Sequence, residues 1–120
     1  MIRIFHNPRC SKSRETLSLL QAISEEKQLS IEIIDYQKTP LTQEQLNTLL
    51  HELGGDVQVM LRSNEDAYLV HGLANADAPS ALQAIVAHPI LLQRPIVSFH
   101  GKAAIGRPPE QVLALFEESI

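Results

Sequence analysis

Residues 2–36 limit what this chain can become more than any other stretch. "IRIF", residues 2 to 5, is short and apolar and runs at once into the turn signal Asn7-Pro8. From Ser11 the pattern changes to that of a helix of about four turns, with Leu17, Leu20 and Ile23 recurring at three-residue spacing. "SIEIIDY", residues 30 to 36, is β-branched and apolar and reads as a second strand. A strand, a helix and another strand in this order form a βαβ unit. Its strands pair in parallel, and its crossover is right-handed.

The rest of the chain completes a layout around that unit. "TPLTQEQLNTLLHELGG" carries Thr42 and Gln45 at capping-box spacing, then Leu46, Leu49, Leu50 and Leu53 on one face, and Gly54-Gly55 as a stop. Residues 56 to 88 read as further helical pieces. Ser80 with Gln83 is a second capping-box candidate, and the stripe Leu82, Ile85 and Val86 ends at His88-Pro89. "PIVSF" and "KAAI" are joined by His100-Gly101, the spacing of a two-residue hairpin loop. Gly106-Arg107-Pro108-Pro109 leads into a last helix carrying Val112, Leu113 and Phe116. The order βα-β-ααα-ββα predicts an α/β protein of thioredoxin-like layout, glutaredoxin type, with a mixed four-stranded sheet. It is expected as one domain, residues 1–120, with a helical insertion over about 40–90.

Composition narrows the partners. A formal net charge of -4 argues against nucleic acid, and no run of about 20 apolar residues is present to span a membrane. "MIRIFHNPRC" lacks the basic segment and long apolar region of a secretory signal. One cysteine forms no internal disulfide and excludes a zinc site built of several cysteines, so a reducing cytoplasm is the expected location.

That cysteine, Cys10, falls between the first strand and the first helix, where backbone N–H groups are unpaired and the helix dipole favours an anion. The stretch "HNPRCSKSR" surrounds it with His6, Arg9, Lys12 and Arg14, all of which favour a thiolate. Against this stands the reading of Cys10 as an inert small residue at a helix start, with Ser11 as the N-cap. "CSKS" places Ser13 where a dithiol oxidoreductase carries its second cysteine. A hydroxyl there hydrogen-bonds a thiolate but does not resolve a mixed disulfide. A cysteine phosphatase loop needs an arginine six positions after the cysteine, and that residue is Thr16.

Arg62, Arg94 and Arg107 sit outside the amphipathic stripes, and the last two immediately precede prolines in "QRPI" and "GRPP". Arginine suits oxyanions because its planar fork donates paired hydrogen bonds and stays charged. His51, His71, His88 and His100 follow no metal-ligand spacing, so no metal site is expected.

The segments "FHNPRCSKSRETL", "MLRSNE", "HPILLQRPIV" and "IGRPPEQVL" resemble, in order and spacing, the glutaredoxin-linked arsenate reductases. The resemblance runs over nearly the whole chain. It implies a thioredoxin-like fold with a helical insertion. Cys10 is then the nucleophile, with His6 and Ser13 helping to hold its thiolate. Arg62, Arg94 and Arg107 bind the oxyanion, and Pro95 is the cis-proline beside the active cysteine. The implied reaction is reduction of arsenate to arsenite through an arsenic adduct on Cys10. Glutathione serves as co-substrate and glutaredoxin as partner, with no bound cofactor. Around the cysteine the chain departs from better-known members, which carry small residues where it has Arg9, Ser11 and Lys12. It also lacks their C-terminal extension, which points to a shorter arsenate reductase-like subgroup, related to Spx.

Two other functions fit the same layout. A regulatory binding protein resembling Spx typically carries Cys-x-x-Cys as a redox switch, and Ser13 argues against it. A glutathione-dependent thiol reductase with another substrate leaves the three arginines without a role.

Overall fold

The computed structural model describes residues 1–117. Strand β1 (Ile2–His6) leads to helix α1 (Ser11–Lys27) and strand β2 (Ile31–Asp35), and the two strands pair in parallel, Ile2 opposite Ile31 through His6 opposite Asp35. β3 (Ile96–Phe99) joins the other edge of β1 antiparallel, and β4 (Lys102–Ile105) pairs antiparallel with β3. The sheet is therefore mixed and four-stranded, in the order β2-β1-β3-β4. That is the α/β, thioredoxin-like arrangement.

The hairpin between β3 and β4 turns on His100 and Gly101 alone, with φ of 49° and 77°. Two successive left-handed residues are what a tight turn matching the strand twist requires. Alternation on β1 buries Ile2 and Ile4 against Leu20 and Ile23 of α1, Val97 of β3 and Val112. Each fully buried Ile, Leu or Val contributes about 1.5–3 kcal/mol relative to exposure.

Val112 belongs to the closing segment Pro109–Phe116, which is a 3₁₀ helix in place of an ordinary α-helix. Its inward residues explain the difference. Pro109, Val112 and Leu115 recur every third position, and three residues per turn keep all of them on one side.

The chain divides into two compact units, Met1–Tyr36 with the chain from Arg94 onward, and Gln37–Gln93. The second unit holds α2 (Gln43–Glu52), α3 (Asp66–Val70) and α4 (Ala78–Ala87), with 3₁₀ turns at Val57–Met60, Leu73–Asn75 and Pro89–Leu91. Thr42 and Gln45 form the full capping box at the start of α2, and Leu46, Leu49 and Leu50 are buried. The start of α4 differs from the sequence expectation. Asp77, not Ser80, is the N-cap; its carboxylate accepts the Ser80 N–H at 2.9 Å, and Pro79 lies in the first turn. Aspartate caps as well as serine, and a proline in the first turn forfeits only an N–H that has no helical partner. Among the described residues no helix is long and apolar enough to cross a membrane.

Candidate active site

The loop between β1 and α1 is organised by one side chain and its own backbone. The Asn7 carbonyl accepts the Cys10 N–H at 3.0 Å, and Asn7 Oδ1 accepts the Arg9 N–H at 3.0 Å. The Asn7 N–H donates to Ser13 Oγ at 3.0 Å. This ties the loop to the first turn of α1 and fixes where the helix begins. Cys10 is the N-cap, with extended backbone (φ -94°, ψ 123°), and Ser11 is the first helical residue; Ser11 is not the cap. The first turn of α1 carries no acidic residue.

The half-buried Cys10 sulfur is therefore the group that meets the helix start. Burial works against its ionisation. The Ser13 N–H, the Arg94 charge, the Lys12 N–H and the Arg107 guanidinium together outweigh burial, and the thiol lies below its ordinary value. Nη1 of Arg107 is 3.8 Å from Sγ and also donates to the Arg94 carbonyl at 3.2 Å.

Two of the basic residues close to Cys10 in sequence direct their side chains elsewhere. The Lys12 ammonium pairs with Glu15 at 3.4 Å, and Arg14 donates to the Pro8 carbonyl at 2.9 Å. The charges that do act, Arg94 and Arg107, arrive on the far side of the sheet sequence, flanking the β3–β4 hairpin.

His6 and Ser13 meet each other. His6 Nδ1 lies 2.6 Å from Ser13 Oγ, and both residues are buried. Burial pushes His6 down, Asp35 pulls it up and Arg14 pushes it down, and the net shift is downward, which favours the neutral imidazole. Ser13 thus serves the sulfur through its backbone N–H, while its hydroxyl holds His6 and Asn7.

The Arg94–Pro95 and Arg107–Pro108 peptide bonds are both cis. The Pro95 carbonyl accepts the Gly106 N–H at 3.0 Å. A Cβ on Gly106 would lie 2.9 Å from the Pro95 ring and collide with Thr16, which is fully buried and donates to the Lys12 carbonyl at 2.8 Å. Gly106 and Thr16 shape the site, a role that their sequence neighbourhoods do not disclose. The only local signal was a glycine directly before Arg107.

Cys10, His6, Ser13, Arg94, Pro95 and Arg107 all belong to the first unit. Arg62 belongs to the second. There its Nη2 pairs with Glu65 at 2.7 Å and its Nη1 donates to the Ile90 carbonyl at 3.3 Å. Its N–H bonds the Leu91 carbonyl at 2.8 Å, beside the bridge between Leu61 and Leu92. Among the described residues no group of three or more His, Cys, Asp or Glu is placed to hold a metal ion.

The ArsC family model matches residues 5–115. An arsenate reductase of Neisseria meningitidis is 45% identical over 117 residues, covering 95% of this chain and 97% of that protein. An arsenate reductase of Escherichia coli is 34% identical over 120 residues, 98% of this chain and 82% of that protein. Among solved structures, an arsenate reductase from Vibrio cholerae superposes with a TM-score of 0.83 at 39% identity, covering 95% of this chain and 96% of that one.

Proposed function

The chain belongs to the ArsC family, and we propose that it reduces arsenate to arsenite through an arsenic adduct on Cys10, with glutathione and glutaredoxin supplying the other thiols. The observation that carries this reading is a lone thiol held below its ordinary value at a helix start, with Arg107 at 3.8 Å and the Arg94 charge acting on it.

Arsenate is an anion near neutral pH, so a thiolate must approach a like-charged target. Arg94 and Arg107 oppose that repulsion, and they stabilise charge as it builds on oxygen. The Cys10 sulfur bonds to arsenic, and one arsenate oxygen leaves as water. Glutathione sulfur then bonds to the same arsenic and a second oxygen leaves. When a glutaredoxin thiolate takes that glutathione as a mixed disulfide, the electron pair of the sulfur–arsenic bond stays on arsenic, now trivalent. Hydrolysis releases arsenite and returns the Cys10 thiol. The two electrons come from the two external thiols, because one cysteine cannot close a disulfide within the chain.

The test is arsenate-dependent NADPH consumption in a system of glutathione, glutaredoxin and glutathione reductase. Turnover that needs arsenate, both thiol components and Cys10 supports the reading. Absence of turnover in the complete system, or turnover by Cys10→Ser, overturns it.

A further inference from the structure

We propose that Arg9 is the docking point for a carboxylate of the anionic, peptide-like thiol that reacts at Cys10, glutathione being the thiol of that class. The inference rests on the thiol chemistry proposed for Cys10, but not on arsenate as the oxidant.

Five of the basic residues lie in the unit of Cys10 at or near its loop, and four of them are engaged. Lys12 is paired with Glu15, and Arg14 is on the Pro8 carbonyl. Arg107 spans the sulfur and the Arg94 carbonyl, and the Arg94 charge acts on the sulfur. Arg9 is different. It is exposed and directly precedes Cys10, and among the described residues its side chain has no hydrogen bond or ion pair. Its backbone is nevertheless fixed, because Asn7 Oδ1 accepts its N–H at 3.0 Å. A fixed main chain beside the nucleophile with an unengaged guanidinium describes a recognition group for something that arrives there.

The chemistry of the arrival follows from charge and reach. A guanidinium fork matches a carboxylate in paired hydrogen bonds. Nothing within the loop competes for it: the first turn of α1 has no acidic residue, and Glu15 is already paired with Lys12. In a thiol tripeptide bonded through sulfur to the Cys10 site, a terminal carboxylate lies one residue along from the reacting cysteine, as Arg9 lies one residue along from Cys10. The chain as a whole has 14 acidic against 10 basic residues, so an anionic thiol is repelled over most of the surface and drawn to this loop.

Thiol–disulfide exchange on the intact protein tests the proposal without arsenate. The Cys10 thiolate attacks one sulfur of a disulfide, a new sulfur–sulfur bond forms, and the other half leaves as a thiolate. Rates are compared for glutathione disulfide, which is anionic, and hydroxyethyl disulfide, which is neutral. In Arg9→Ala the ratio of the two rates is expected to fall about fivefold at low ionic strength, and Arg9→Lys to recover much of it. Added salt is expected to compress the ratio of the unaltered protein in the same direction. A ratio indifferent to Arg9, or an equal fall for both disulfides, overturns the proposal. Arsenate turnover with an indifferent ratio overturns this inference alone. An Arg9-dependent ratio without arsenate turnover sustains it while the proposed reaction fails.

Discussion

Arg107 meets Cys10 across 97 positions of sequence, its Nη1 3.8 Å from the sulfur. The same nitrogen holds the carbonyl of Arg94, the other arginine that acts on the thiol. The two cations are thus mechanically linked, and loss of one disturbs the other. Arg107→Ala is expected to raise the pH midpoint of Cys10 alkylation, since both its hydrogen bond and its hold on Arg94 are lost. Arg94→Lys keeps a charge but loses the planar fork; transition-state stabilisation read from kcat/KM for arsenate is expected to drop by about 3 kcal/mol, the scale of one removed oxyanion donor. An unmoved alkylation midpoint in Arg107→Ala, or unchanged kcat/KM in Arg94→Lys, contradicts this account of the site.

At the site, two groups with lowered values, His6 and Cys10, give a stability that rises with pH in two windows. An unfolded chain takes up a proton on His6 near its ordinary value of 6.5, whereas the native imidazole resists until lower pH. As pH falls through that interval the unfolded state binds more protons and stability declines; below the native value it declines no further on this account. For Cys10 the native thiol ionises before the unfolded one, so stability rises from the native thiol value up to the ordinary one and is flat above it. Urea midpoints from about pH 5 to about pH 9 check both. His6→Gln is expected to flatten the acid-side slope and Cys10→Ser the alkaline-side slope, each without affecting the other.

Gly106→Ala probes the packing beneath the arginines. A methyl there meets the Pro95 ring at 2.9 Å and the fully buried Thr16 side chain. Overpacking of this kind costs about 1–3 kcal/mol. Because Gly106 adjoins Arg107 and bonds the Pro95 carbonyl, the strain falls on the arginine-bearing segments. The expected result is a lower melting temperature together with a slower Cys10 alkylation at neutral pH. A substitution that leaves both intact would show that the close approach is relieved elsewhere.

What the sequence disclosed, and what it hid, divides along the distance between partners. The βαβ unit, the Thr42–Gln45 cap and the His100-Gly101 hairpin were legible because each is decided by residues a few positions apart. Cys10 at a helix start was legible for the same reason. The groups that act on its sulfur were misjudged wherever proximity in sequence stood in for proximity in space. Lys12 and Arg14 carry charge beside the cysteine but direct it to Glu15 and Pro8. Asp77 displaced Ser80 as a cap because both types satisfy a helix start, and only the main-chain path selects between them. The closing 3₁₀ helix was concealed by the choice of residues: Val112, Leu113 and Phe116 suit an α-helix, whereas Pro109, Val112 and Leu115 show the three-residue period. Nothing local marks the opposition of His6 and Asp35, which depends on the parallel register of β1 and β2.

Ser13 separates stability from thiol activation, and its substitution should separate them too. Its hydroxyl is buried, 2.6 Å from His6 Nδ1, and takes the Asn7 N–H at 3.0 Å. Ser13→Ala leaves a buried N–H and an imidazole nitrogen without these partners, at an expected cost of about 1–3 kcal/mol in unfolding free energy. The Ser13 N–H that faces the sulfur belongs to the backbone and survives the change. The alkylation midpoint of Cys10 should therefore move far less than it does in Arg107→Ala, even though Ser13 is three residues from the cysteine and Arg107 is 97. A large midpoint shift with little loss of stability would mean that the hydroxyl, and not the main chain, is what Ser13 contributes to the thiolate.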